Sequence, residues 1–425
     1  MRILFLSHYF PPEVNAPASR TYEHCVEWVR SGHEVTVVTC APNHPRGVLY
    51  EGYRNRWFQT EEMDGIHVIR LWTYLSANEG FLRRTLNYVS YMFAAIVATP
   101  RLPKPDIVIS TSPQFFNGLA GWFVSRLKRV PWALEIRDLW PESIVTVGAI
   151  KNPLIIRALE RLELFAYHNA DVIVPVTDAF KRYMIGKGID ARKMSVLKNG
   201  VNLRLFQERD PATPEAQALA RQLGAEGRFI AAYVGTHGMA HHLETILEAA
   251  ALMDNDDILF VMVGDGAERD RLAAKRSEMG LNNVVMLDQL PKASMPALWS
   301  LTDVSLVLLK KSDLFKTVIP SKIFESMAMR VPIILGVEGE AQTIIEQAGA
   351  GICIEPENAE RLAESVRMLY EDGALAQRLG GSGRRYVQQH FDRAVLADRY
   401  QRVLLDTIAL ARTRTQSGGV GTAGH

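Results

Sequence analysis

Cysteine is scarce in this chain: three in 425 residues, at positions 25, 40 and 353. Three scattered thiols make neither a disulfide framework nor a zinc site, which points to a reducing compartment. Long apolar runs are also missing, so no segment reads as a membrane span. The N-terminus, MRILFLSHYF, carries one positive charge and only a short apolar stretch. It reads as a first strand rather than a signal peptide. No GxGxxG turn follows that strand, which argues against a dinucleotide-binding oxidoreductase, whose pyrophosphate turn sits there. Neither a dense basic run nor interleaved aromatics is present, so nucleic acid is not an expected partner.

What is present is ordinary in bulk and uneven in distribution. Hydrophobic residues make up 48% and charged residues 22%, as in a soluble globular protein, and 425 residues exceed what one core serves. Two domains are therefore expected. Net charge is +1, but residues 1–205 hold 25 Lys+Arg against 18 Asp+Glu (+7), and the remainder 23 against 29 (−6). A basic first half suits an anionic partner such as a membrane surface or a diphosphate lipid.

Buried-type strands alternate with helical stretches throughout. Residues 2–7 and 34–39 with the helix between them form a βαβ unit, and further strands are expected at 68–71, 106–110, 132–136, 172–176 and 194–197. A Pro- and charge-containing stretch at 210–227 reads as a linker with a short helix, after which the alternation restarts at Phe229. Two Rossmann-like α/β domains follow, 1–205 and 206–390, with a last helix at about 393–411 and a disordered tail at 413–425. Several loops lie at carboxyl ends of strands, where open α/β sheets bind ligands. They place Glu13, and then Arg137 and Asp138 of RDLWPES, as candidate catalytic residues, with Arg20 as a further site candidate and His8 as a structural strand-end residue. In the second domain Gly235, Thr236, His237 and Gly238 make a tight turn suited to a phosphate, with a helix expected from about Met239. The triple His237, His241 and His242 has no acidic neighbour, so no metal site is expected there.

The most informative stretch is Lys310 to Gly336, KKSDLFKTVIPSKIFESMAMRVPIILG. Pro320 fixes the entry to a helix that Ser321 can cap. The helix terminus and Lys322 suit a phosphate, and Glu325, on the same face as Ser321, can accept both hydroxyls of a ribose.

This element resembles the Pro-Ser-Lys-x-x-Glu element of the retaining, nucleotide-sugar-dependent glycosyltransferases of family 4, in particular the O-antigen and capsule branch that includes fucosaminyltransferases. The resemblance covers nearly the whole chain. It implies a GT-B fold, with two Rossmann-like domains facing each other across a cleft. The first holds a lipid-linked saccharide acceptor and the second a nucleotide-sugar donor, UDP-linked, with N-acetylated hexosamines among the sugars to consider. It implies no cofactor and no catalytic metal, and an enzyme docked on the inner face of the plasma membrane. The loop at Gln289 would lie near the nucleobase. Most of the family has an earlier glutamate where Thr317 stands; Thr317 and Pro320 would then adjoin the donor sugar, and Asp313 is the nearest upstream acid. An arginine and a lysine usual in the family fall at Thr236 and roughly His241, which leaves more of the diphosphate to Lys322. A UDP-sugar epimerase of the same fold, or a non-catalytic sugar-binding protein, are the alternatives. The first needs acids poised for elimination and the second is usually exported. The stretch 80–102, flanked by Arg83, Arg84, Arg101 and Lys104, is either a buried helix or one lying in lipid headgroups.

Overall fold

Seven short segments rich in β-branched and aromatic residues pair into the first sheet: β1 (Arg2–Leu6), β2 (Glu34–Cys40), β3 (Phe58–Met63), β4 (Ile66–Leu71), β5 (Ile107–Thr111), β6 (Trp132–Ile136) and β7 (Val172–Pro175), in the order β3-β4-β2-β1-β5-β6-β7. The computed structural model describes all residues except 77–80, 113–114, 147–149, 151, 208–209, 254–255 and 420–425. It divides into two units, Met1–Lys198 with Ala394–His425, and Asn199–Arg393. β5 and β6 are buried at every position, as parallel strands covered on both faces require. β3 is the exception: it runs antiparallel to β4 and closes a hairpin over Asp64 and Gly65, both at positive φ. The sequence reading left this strand out.

In the second unit β8 (Phe229–Val234), β9 (Ile258–Val263), β10 (Val284–Leu287), β11 (Val304–Leu308), β12 (Ile333–Gly336) and β13 (Gly351–Cys353) form a wholly parallel sheet in the order β10-β9-β8-β11-β12-β13. In both sheets the chain works outward to one side, then returns to the centre and works outward to the other. The reversal lies between β1 and β5 in the first sheet and between β8 and β11 in the second. A crevice opens at such a switch, beyond the carboxyl ends of the two strands.

Several local expectations are corrected. Residues 194–197 contribute one bridge, Met194 to Ile173, and not a strand. The helix expected from Met239 begins at Glu244, because His242 takes a positive φ that a helix cannot continue through. The last helix spans Arg393–Gly419, so the order continues past the expected start of a disordered tail at 413; residues 420–425 lie outside the described residues. Its Ala397 carbonyl accepts from the buried Trp28 indole (3.0 Å), and Tyr400 packs edge-on to the same ring, which ties the helix to the first unit.

Candidate functional site

At the switch of the second unit the strand ends are shaped by glycine. Gly235 has φ +140, and a Cβ there would stand 3.0 Å from Lys322 Nζ. Gly264 and Gly266, after β9, have φ +150 and +155; a Cβ on Gly264 would meet the Gly235 carbonyl oxygen at 1.9 Å, and one on Gly266 the His237 carbonyl oxygen at 2.5 Å. Two backbone loops therefore interlock, and His237 N–H donates to Asp265 O (2.9 Å). Gly238 has only ordinary contacts, so the close approach is confined to the first glycine of the turn. The exposed Thr236 contributes its carbonyl, which accepts from Tyr233 Oη (2.8 Å).

Lys322 lies against this turn. Its Nζ is buried, has no hydrogen-bond partner and sits 3.7 Å from the Tyr233 ring centroid. A cation over an aromatic face gains something, but far less than the water it has given up. Burial accordingly lowers its pKa from 10.5 to about 7, with Glu325 pulling the other way. Around it the imidazoles stay neutral. His237, fully buried with both ring nitrogens unpartnered, is lowered to about 4 by burial and then by Arg269 and Lys322. His241 is lowered to about 3, mainly by burial, and Nδ1 donates to Leu308 O (3.3 Å). The sequence reading missed Arg269. Its charge is felt at His237, its Nη2 is 2.7 Å from Asp288, and its Nε is buried without a partner. Its place just after Gly264-Asp265-Gly266 was the available signal.

The expectation for Ser321 is corrected. Its φ and ψ, −60 and −26, are already helical, and its side chain caps nothing; a capping residue needs extended backbone. Asn199 Nδ2 donates to its Oγ instead (3.3 Å). The first turn of the Lys322–Ala328 helix is also tightened, with Ile323 N–H donating to Pro320 O and Phe324 N–H to Ser321 O (both 3.2 Å). Those two amides are not open to a phosphate, so the weight shifts to Lys322 itself. Glu325 is 3.5 Å from Lys292 Nζ and accepts from Trp299 Nε1 (3.4 Å), with its side chain 21% exposed. Lys292 follows the loop of Gln289, which is exposed, so Glu325 and that loop are brought together. Pro320 and Thr317 precede the helix; Thr317 Oγ1 donates to Leu314 O (2.6 Å). Asp313 is 2.9 Å from Lys316 and almost wholly exposed.

The first unit gathers its candidates unevenly. A recess of about 240 Å³, counted to its open mouth, is lined by His8, Tyr9, His44, Arg84, Asn87 and Tyr88 among others. Glu13 lies behind it: its Oε1 accepts from Asn43 N–H and His44 N–H (both 2.9 Å), and burial raises it to about 7. Asp138 accepts from Ser143 Oγ (3.1 Å) and is raised by burial, which Arg84 partly offsets. Arg84 thus links Asp138 to the recess. Arg137 belongs elsewhere: its N–H donates to Ser112 Oγ (2.6 Å), and its charge acts on Tyr400 of the last helix. Arg20 is structural. Its guanidinium is 3.0 Å from buried Glu135 and donates to Leu197 O and Lys198 O (3.0 Å each). His8 is the buried strand-end residue expected, ringed edge-on by Tyr9, Tyr88 and Tyr91 and lowered to about 3.

Residues 15–200 match the family model for a glycosyl transferase 4-like domain, and residues 216–386 that for glycosyl transferases group 1. The chain is 26% identical over 379 residues to a putative colanic acid biosynthesis glycosyl transferase of Escherichia coli, covering 86% of this chain and 91% of that one. It is 28% identical over 316 residues to a probable glycosyltransferase of Pseudomonas aeruginosa, covering 74% and 77%. Among solved structures, a sucrose-phosphate synthase from Thermosynechococcus elongatus superposes with a TM-score of 0.74 at 18% identity, over 96% of this chain and 99% of that one. An Anabaena protein in complex with UDP-glucose superposes with a TM-score of 0.71 at 17% identity, over 96% and 100%.

Proposed function

Because this chain belongs to the GT-B glycosyltransferases, we propose that it transfers a sugar from a UDP-linked donor, with retention at the anomeric carbon, to a lipid-linked saccharide in cell-surface polysaccharide synthesis. The observation that carries the donor half is Lys322. A buried ammonium with no partner is a site awaiting an anion, and it stands at the sheet's switch point against a turn that only glycine can make. A diphosphate there restores the charge on Lys322. As the glycosidic bond breaks and positive charge grows on the sugar ring, Lys322 stabilises the negative charge moving onto the leaving diphosphate. Arg269 adds a second cation, and Glu325 with the Gln289 loop holds the nucleoside. Neutral His237 and His241 can pack against an anion without repelling it.

The acceptor half is supported by the recess of the first unit. Aromatic rings, neutral imidazoles, an amide and the Arg84–Asp138 pair suit a saccharide, which presents apolar C–H faces and many hydroxyls. A relative named for colanic acid biosynthesis supports the polymer reading. Among the described residues no helix is long and apolar enough to cross a membrane, so contact with a lipid-linked acceptor would be made from the surface. The test is calorimetry with UDP, followed by a thermal-shift panel of nucleotide sugars that starts with N-acetylated hexosamines. Wild type should bind UDP and Lys322→Met should bind it many-fold more weakly. Equal affinity of the two proteins removes the donor site from Lys322.

A further inference from the structure

Two exposed tryptophans lie stacked on the first unit, Trp57 ahead of β3 and Trp72 after β4, with ring centroids 6.4 Å apart and 48% and 37% exposed. Large aromatic rings are seldom left in water in pairs without a use. The surroundings fix them in one surface. Asn55 joins the two segments, donating from Nδ2 to Thr73 O (2.7 Å) and accepting from Thr73 N–H at Oδ1 (3.1 Å). Tyr74 N–H then donates to Ser90 Oγ (2.8 Å), and Thr73 Oγ1 to Asn87 O (3.1 Å), which ties the strand end to the helix Phe81–Ala98. Ser90 lies on the same helical stripe as Leu86, Phe93 and Val97, which are 47%, 57% and 51% exposed. The opposite face, Tyr91, Ala94, Ala95 and Ala98, is buried. The helix is therefore neither wholly buried nor a detached surface helix: one face is core and the other continues an aromatic band from Trp57 through Trp72 and Tyr74.

We propose that this band, Trp57–Trp72–Tyr74–Leu86–Phe93–Val97, is the surface through which the protein docks on an anionic lipid bilayer. The proposal rests on the peripheral-membrane reading above and assigns it a place. Charge complementarity selects the occupant. Residues 52–60 and 81–104 contain six basic residues and no acidic one, and Arg54, Arg56, Arg83, Arg101 and Lys104 are exposed. Glu51 is an exposed acid nearby. Trp and Tyr favour the headgroup level, where a ring can be apolar on its faces and hydrogen-bonded at its edge, while arginines beside them meet lipid phosphates. Arg84 is not part of this surface; it lines the recess, so replacing it would confuse docking with acceptor handling.

The experiment uses the full chain with vesicles of phosphatidylcholine, with and without phosphatidylglycerol, and with bromine-labelled acyl chains. Of the seven tryptophans, Trp28, Trp132, Trp140 and Trp299 are buried and Trp122 is partly buried, so the share of bromine quenching that is lost with Trp57 and Trp72 reports on those two. Binding should need the anionic lipid, weaken with salt, and quench the emission. Trp57→Ala with Trp72→Ala should lower vesicle affinity about tenfold or more, the loss expected when rings no longer leave water. A second pair, Phe93→Ser with Val97→Ser, should do the same without touching the tryptophans. Both variants should keep the wild-type circular-dichroism spectrum and melting transition, which shows that the first unit folds, and the wild-type affinity for UDP, whose proposed site lies in the second unit. Vesicle binding unaffected by either pair, or without quenching, overturns the band and leaves peripheral association standing. A wild type that stays in the supernatant with every lipid overturns both. Emission that responds to a soluble saccharide and not to vesicles reassigns the stacked rings to carbohydrate.

Discussion

Donor affinity should depend on pH through Lys322, and the size of the effect follows from its burial. Lowering the ammonium from 10.5 to about 7 corresponds to something on the order of 5 kcal/mol against the charged form. In the free protein near pH 9 Lys322 is almost wholly neutral. A bound diphosphate needs it charged, so binding takes up a proton. If the complex keeps the ammonium charged to above pH 9, the apparent Kd for UDP should rise about fiftyfold between pH 7 and 9, approaching tenfold per pH unit. The terminal phosphate of UDP titrates near pH 6, below this window. Calorimetry at pH 8.5 in buffers of different ionisation enthalpy should show nearly one proton taken up per UDP. Lys322→Met should bind weakly and flatten the profile. The same variant should be more stable without ligand. Between about pH 7 and 10.5 the unfolded chain binds more protons than the folded one, so wild-type stability rises with pH there and the penalty is fully present below pH 7. A wild-type affinity that is constant from pH 7 to 9 with no proton uptake refutes the assignment.

Glu325→Ala should reduce UDP affinity by about 1.5–3 kcal/mol, the value of a charge-assisted hydrogen bond, and unchanged binding and turnover would remove it from the nucleoside site. Transfer activity should survive exhaustive EDTA, as the resemblance to family 4 implies; activity lost to EDTA and restored by magnesium or manganese contradicts this. Glu13 is raised to about 7 by burial, so the folded protein holds a proton that the unfolded chain has lost between about pH 4.5 and 7. Wild-type stability should fall across that window, by up to about 3 kcal/mol, and Glu13→Gln should abolish the slope in denaturant melts.

The parallel strands were legible because a strand buried on both faces is an apolar run, and β6 and β8 begin and end where that run does. β3 was not, because FQTEEM is an edge strand with polar positions to solvent; the Asp64-Gly65 pair was the hairpin signal that outweighed its composition. At the site, Lys322 and Glu325 were legible from spacing. The N-cap at Ser321 was not, because residue type allows a cap while backbone angles decide it. Arg20 looked like a loop cation and proved a clasp, since its partner Glu135 lies 115 positions away on β6. The stacking of Trp57 on Trp72 is hidden for a similar reason: the two rings meet only after the hairpin has formed.

The chain's departures from the family pattern can be weighed as charges. A nucleotide sugar's diphosphate carries a negative charge on each phosphorus, and the cations usual at the positions of Thr236 and His241 are missing. Lys322 belongs to the resembled element and Arg269 adds a second cation, both felt at His237. Neither is freely solvated: one has lost its water outright, and the other spends part of its charge on Asp288 at 2.7 Å. Their attraction for an anion is therefore less screened than that of two surface lysines. The position of the missing glutamate has two acids nearby, both paired. Thr317 is held by its bond to Leu314 O, and Asp313 is committed to Lys316, which also reaches Glu338 (3.3 Å). If both carboxylates stay paired with Lys316, the sugar's hydroxyls would be read by neutral groups. A neutral reader discriminates charged sugars less sharply than an ionised one, so sugars with an acetamido or an amino substituent should both be admitted at that end of the donor. A donor panel in which one of the two classes is rejected outright would show that an ionised group reaches the sugar after all.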